Sequence, residues 1–173
     1  MDHFGTMRLA RLTLPVATWV GALLFLLPTF AAANGDPAFG LWLTENERAI
    51  IEIRPCQDRA CGRIVWMDNQ MTEAGAPKID ENNPIPALRR LTICGIPLVG
   101  NFKKVDAGSW QGGYVYNPRD GKSYEAEIQV QEDGSLRMRG FVLVSVFGKS
   151  QTWTRVADAR GGCVSNRASR ANR

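Results

Sequence analysis

Tyr114, Tyr116 and Tyr124 bring three phenolic hydroxyls into one short stretch, interleaved with Trp110, Ala126, Ile128 and, further on, Met138. Such a mixture can enclose a small molecule: rings and aliphatic groups supply an apolar wall, and hydroxyls fix a polar end. A filled core, with the hydroxyls bonded to backbone or water, is the alternative use of the same residues. Nothing comparable supports catalysis. The one histidine, His3, falls in the N-terminal segment 1–33, an export signal. The mature chain therefore has none, which removes Ser–His and Cys–His pairs and imidazole metal sites. Glu125 and Glu127 share a strand face, but they read as solvated partners of basic residues rather than an acid/base pair. Asp80, Asn82 and Asn83 carry oxygens that suit a hard cation. Their setting, Asp80-Glu81-Asn82-Asn83-Pro84, is turn chemistry. Arg89-Arg90 either grip an anionic head group or form the wet side of a short helix. The expectation is a binding protein with no catalytic residue, no metal and no cofactor.

The aromatic set needs strands to hold it. From Ser123 to Gln131, apolar Tyr124, Ala126, Ile128 and Val130 alternate with polar residues, so one face is buried and the other wet. Glu132-Asp133-Gly134 follows. A three-residue loop with Gly134 left-handed pairs Val130 with Leu136 and Ile128 with Met138; outside, it sets Glu127 opposite Arg139 and Gln129 opposite Arg137. Upstream, Asn117-Pro118-Arg119-Asp120-Gly121-Lys122 is a second turn. Facing Tyr116 with Tyr124 across it places Trp110, Gly112, Tyr114 and Tyr116 on the inner face. Glycines and alanine (Gly62, Gly112, Ala126, Gly140) leave space beside the rings.

Both chain ends lie outside this frame. Arg8 and Arg11 precede an uncharged apolar run, Leu12 to Phe30, and then Ala31-Ala32-Ala33. This is a secretory signal with cleavage after Ala33. No cysteine adjoins the site, which argues against a lipid-anchored start. The expected organisation is a signal over 1–33, a barrel domain over 34–158 and a flexible basic tail over 159–173. Much of the formal net charge of +4 sits in the signal and the tail. The span between is nearly neutral and offers no basic face to nucleic acid. Periplasmic or secreted location follows, with no stable membrane insertion once the signal is removed. The remaining partners are a small amphipathic ligand and, through an open face, a second copy in a homodimer.

Phe39–Leu43, Arg48–Arg54 and Cys61–Met67 read as the first three strands, with Ile51, Ile53, Ile64 and Trp66 inward. Pairing Cys56 with Cys61 sets Ile53 opposite Ile64 and Ile51 opposite Trp66. The hydrophobic register and a Cys56–Cys61 bridge therefore agree. Cys94 and Cys163 complete an even count and are either paired or free. Asp68 to Pro97 lacks strand pattern and reads as a lid or binding loop, with Asn83 capping a helical turn over Pro84–Arg90. Leu98–Lys104, Ser109–Asn117, Ser123–Gln131, Ser135–Val142 and Gln151–Val156 follow, with Val144–Val146 extending the seventh strand.

Eight short strands suggest a sandwich or a closed barrel. Gly40-x-Trp42 on the first strand and Arg155 on the last favour the barrel, because together they resemble the lipocalin-type arrangement. There an arginine of the final strand lies over the first-strand tryptophan and shuts one end, a contact worth about 1 kcal/mol. The chain from Phe39 to Val156 also resembles a bacterial family, the domain of unknown function 2147. The pieces that carry the resemblance are Gly40-Leu41-Trp42, Cys61-Gly62-Arg63-Ile64-Val65-Trp66, Asp80-x-x-Asn83-Pro84, Tyr116-Asn117-Pro118-x-Asp120-Gly121-Lys122-x-Tyr124, Leu136-x-x-x-Gly140 and Gln151-Thr152-Trp153-Thr154-Arg155. The family usually has aspartate where Asn117 stands. The resemblance implies an exported, eight-stranded antiparallel lipocalin-like β-barrel and brings no activity. Two functions fit this reading. One is a periplasmic protein that binds a small amphipathic or apolar molecule inside the barrel, against Trp66, Trp110, Tyr114, Tyr116, Tyr124, Ala126, Ile128 and Met138. The other is a cell-envelope interaction module with a filled barrel.

Overall fold

The computed structural model describes Met1, residues 35–142 and residues 144–164, with side chains left aside over 142–147. The expected signal, its cleavage after Ala33 and the tail beyond Val164 lie outside the described residues. Eight strands follow in chain order: β1 (Gly40–Leu43), β2 (Ala49–Cys56), β3 (Arg59–Met67), β4 (Pro97–Asp106), β5 (Ser109–Asn117), β6 (Lys122–Val130), β7 (Leu136–Val142) and β8 (Val144–Val156). Each pairs antiparallel with the next, and β1 also pairs with β8, which closes the barrel. Closure leaves no free sheet edge. The fold is the lipocalin-like barrel that Trp42 and Arg155 suggest.

The inward face is a continuous apolar core that includes Trp42, Ile51, Ile53, Ile64, Val99, Phe102, Ile128, Leu136 and Trp153. Glycines let large neighbours in. A side chain on Gly113 would collide with the Phe102 ring, and one on Gly62 would meet Val99 and Ile51. The β6–β7 register is the one that the alternation requires: Val130 faces Leu136, Ile128 faces Met138, and Glu127 faces Arg139.

Four expectations need correction. In β5, Trp110 pairs with Ile128 but Gly113 pairs with Ala126, so β5 carries one extra residue. Gly112 supplies the left-handed backbone, φ +64°, that such a bulge uses. Beyond it the faces exchange: Val115 pairs with Tyr124, and Tyr116 with Ser123. Tyr114 therefore points away from the interior, while Tyr116 is buried beside Asp80 at the mouth of the barrel. In the β2–β3 hairpin, Cys56 pairs with Arg59 across a tighter turn, so Ile51 faces Ile64 and Ile53 faces Gly62. A bulge at Val65 then sets Trp66 opposite Ile50 and Met67 opposite Ala49. Trp66, Ile50 and Leu43 share the outer face, while Met67 takes the inner position. Val144–Val146 belong to β8, because the chain reverses between Val142 and Val144. The helical turn is a single 3-10 turn, Pro86–Leu88, following Ile85. Asn83 does not cap it; its Oδ1 accepts from the Ile85 N–H at 2.9 Å in a side-chain turn.

Two disulfides link Cys56 to Cys61 and Cys94 to Cys163. The second ties the β3–β4 segment to the stretch after β8. Gln70 adds two hydrogen bonds there, Nε2 to the Gly162 carbonyl at 3.0 Å and Oε1 from the Val164 N–H. Residues 159–164, read from composition as the start of a flexible tail, are held to the barrel.

Candidate functional site

The two ends of the barrel differ. At one end Arg155 lies over Trp42, its guanidinium carbon 4.2 Å from the ring centroid. Its nitrogens donate to the Phe39 carbonyl at 3.0 Å and to the Pro37 carbonyl. The Trp42 indole donates to the Ala38 carbonyl at 2.9 Å. Beside it Asp36 Oδ1 accepts from the Ala38 and Gly108 amides and the Trp110 indole, and Lys104 faces Oδ2 at 3.1 Å. Burial pushes the Asp36 pKa up, but these donors outweigh it and hold the carboxylate below its usual range. These contacts form a plug at this end of the barrel.

At the other end a cavity of about 890 Å³ opens. Its apolar wall includes Ala49, Ile64, Met67, Leu98, Val115, Met138 and Trp153. Its rim comes from the β1–β2 turn, the 68–97 segment, the β5–β6 turn and the middle of β8, which give Arg48, Lys78, Arg119 and Lys149. Gly140 opens onto it; a side chain there would meet only Val115, at 3.4 Å. The volume falls in the range of small-molecule sites.

Of the residues expected to line a ligand site, Tyr116, Tyr124 and Met138 border this cavity. Ala126 and Ile128 are buried outside its lining. Trp110 sits in the plug, with the Phe39 ring 5.5 Å away. Tyr114 lies outside across Gly100, where a side chain would touch its hydroxyl. Trp66 lies outside beneath the Arg160 guanidinium, 5.2 Å from its ring. The two β-bulges account for Trp66 and Tyr114. Sequence reading also missed Met67, Lys149, Gln151 and Trp153. Their signal was there for β8: Lys149, Gln151 and Trp153 keep period two, but the expected strand began only at Gln151.

The rim is built from two motifs distant in sequence. Asp80, 1 % exposed, accepts from the Tyr116 hydroxyl at 2.8 Å and from Asn83 Nδ2 at 2.7 Å. Asn82 Nδ2 donates to the Arg119 carbonyl at 3.1 Å. Its own carbonyl occupies the place a Gly121 side chain would need. The asparagines and Asp80 thus fasten the 68–97 segment over the β5–β6 turn. Tyr124 donates to Asp120 Oδ2 at 2.6 Å on the same turn. Glu127 faces Arg139 at 3.9 Å, and Arg89 Nε donates to the Asn83 carbonyl at 2.8 Å.

Burial raises the Tyr116 pKa, and the hydrogen bond to Asp80 raises it further, to about 12. A raised folded-state value means the neutral phenol stabilises the fold. That contribution is complete below the unfolded value of about 10 and is lost as pH rises through the folded value. Tyr116 is expected to ionise late in an ultraviolet titration, at about pH 12. Tyr116→Phe should remove that late step; a titration unaltered by the substitution would assign the late step to another residue.

A family model described as "Uncharacterized protein conserved in bacteria (DUF2147)" matches residues 40–155. The solved structure of protein HP1028 from Helicobacter pylori, described as belonging to the lipocalin family, superposes with a TM-score of 0.62 at 22 % identity. The match covers 75 % of this chain and 92 % of that one. No curated protein matches the chain.

Proposed function

We propose that this chain, which belongs to the bacterial DUF2147 family, binds a small apolar or amphipathic molecule in the open end of its barrel. The observation that carries this reading is the 890 Å³ cavity, apolar within and polar at its rim. A closed plug opposite it makes the cavity a blind pocket rather than a channel. The apolar part of the ligand rests on Ile64, Met67, Met138 and Trp153. Its polar end meets the rim near Tyr124, and the fastened 68–97 segment forms one wall. Binding rather than catalysis fits a mature chain without histidine. Export to the periplasm or beyond fits the signal-like N-terminus and two disulfides. Among the described residues no helix is long and apolar enough to cross a membrane. A second reading, an envelope interaction module, draws on Ile79, Ile85 and Leu91, which the 68–97 segment leaves exposed. The cavity does not suit the filled barrel that this alternative assumed.

Gly140→Leu tests the proposal. The new side chain enters open cavity, so the fold should survive while the ligand's volume is taken. Binding of the neutral fluorescent dye N-phenyl-1-naphthylamine should weaken about tenfold or more, with an unchanged circular dichroism spectrum. Undiminished binding in a folded variant would move the ligand elsewhere.

A further inference from the structure

Granting the cavity its binding role, we infer that the ligand is an anionic amphiphile whose acidic head is held at the rim by Lys78, Arg119 and Lys149. The cavity is lined by four cationic side chains and two carboxylates, and both carboxylates are engaged. Asp68 faces Arg48 at 3.8 Å. Asp120 accepts from the Tyr124 hydroxyl at 2.6 Å and from the Lys122 amide at 3.0 Å. No salt bridge among the described residues takes up Lys78, Arg119 or Lys149.

Lys149 is the most telling of the three. It pairs with Gly140, and the alternation of β8 puts it on the face of Gln151 and Trp153, which is the inner one. Arg63 and Arg139 each face an acid on the neighbouring strand, Glu52 at 2.9 Å and Glu127 at 3.9 Å. Opposite Lys149 stands a residue with no side chain. The three cations also come from separate elements, the 68–97 segment, the β5–β6 turn and β8, and border one opening. Like charges around a low-dielectric mouth repel one another and focus a positive potential into it. An anion relieves that repulsion, a neutral head leaves it, and a cation worsens it. Below lie Met67, Met138 and Trp153, so the field falls off onto an apolar floor that takes a hydrocarbon tail. Carboxylate and phosphate monoester heads share the needed chemistry, oxygen acceptors that an arginine fork and lysine ammonium groups can hold.

Displacement of N-phenyl-1-naphthylamine by dodecanoate, dodecyl phosphate, dodecanol and dodecyltrimethylammonium tests this on the purified protein. At least one anion should displace the dye at a concentration about tenfold below that needed for dodecanol, with the ammonium weakest. In the triple variant Lys78→Gln, Arg119→Gln, Lys149→Gln that advantage over dodecanol, measured on the same variant, should vanish. Better displacement by dodecanoate points to free acids, and by dodecyl phosphate to phospholipid-derived molecules. Equal displacement by dodecanol, or an anion preference that survives in the triple variant, overturns the inference and leaves the binding reading standing. A wild-type protein that takes up no dye overturns the binding reading, and this inference with it.

Discussion

Replacing Cys94 and Cys163 together by serine should lower the stability of the protein by about 4 kcal/mol in the chain-entropy picture. The bridge spans 69 residues of sequence, and closing a long loop removes more freedom from the unfolded chain than closing a short one. Cys56 and Cys61 are five residues apart, and their replacement should cost about 2 kcal/mol on the same scale. The comparison is sharper than either number, because both pairs are native and both are measured against one fold. Urea unfolding of the two double variants, under oxidising conditions, gives the ranking. A larger loss from the short bridge would show that strain or residual structure, rather than loop length, decides the effect. The long bridge has a further role: with Gln70, it keeps residues 162–164 against the 68–97 segment. Its loss should therefore expose the stretch after β8 to proteases before the barrel itself unfolds.

Trp42→Ala should cost about 3–5 kcal/mol, the range for emptying a fully buried aromatic site. Three consequences add in one place. The core loses the indole, the Ala38 carbonyl loses its donor, and the Arg155 guanidinium loses the ring beneath it. Arg155 still reaches the Phe39 carbonyl, so Arg155→Ala, which spares the buried indole, should cost much less. Denaturant melts of the two variants check the order. A Trp42→Ala loss no greater than that of Arg155→Ala would mean the plug at the closed end is held by the arginine and not by the tryptophan. Ligand binding at the far end should survive Trp42→Ala whenever the variant is folded, since Trp42 is not part of the cavity lining.

How much of this was legible depends on how many constraints met at each residue. The β6–β7 register could be read because apolar pairs inside and charged pairs outside demanded the same alignment. Trp42 and Arg155 could be read because they stand at opposite ends of the chain in a pattern that barrel closure explains. The bulges could not. Gly112 is one glycine among several, and Val65 has nothing in its side chain to mark an extra residue; only the partner strand makes either a bulge. The tyrosines misled for that reason. Tyr114 reads as an inner-face ring by strict alternation, yet it lies outside, and Tyr116 is held at the mouth by Asp80. That contact joins residues 36 apart, as does the hold of Asn82 on the β5–β6 turn. Both motifs read correctly as turns; that they meet is a fact of the third dimension.

The bulge at Val65 carries a consequence for how such a barrel acquires or loses a vacancy. An unbroken ladder from the Ile51–Ile64 pair would set Val65 opposite Ile50 and Trp66 opposite Ala49, which lines the cavity. The indole would then stand where the slimmer Met67 now stands, in the same space as Met138 and Leu98. One peptide unit of slack in β3 sends that bulk outward instead, to Ile50 and Arg160. Receptacle and solid plug are thus near neighbours in this architecture. What separates them is not a change of side-chain chemistry but the count of residues along one strand.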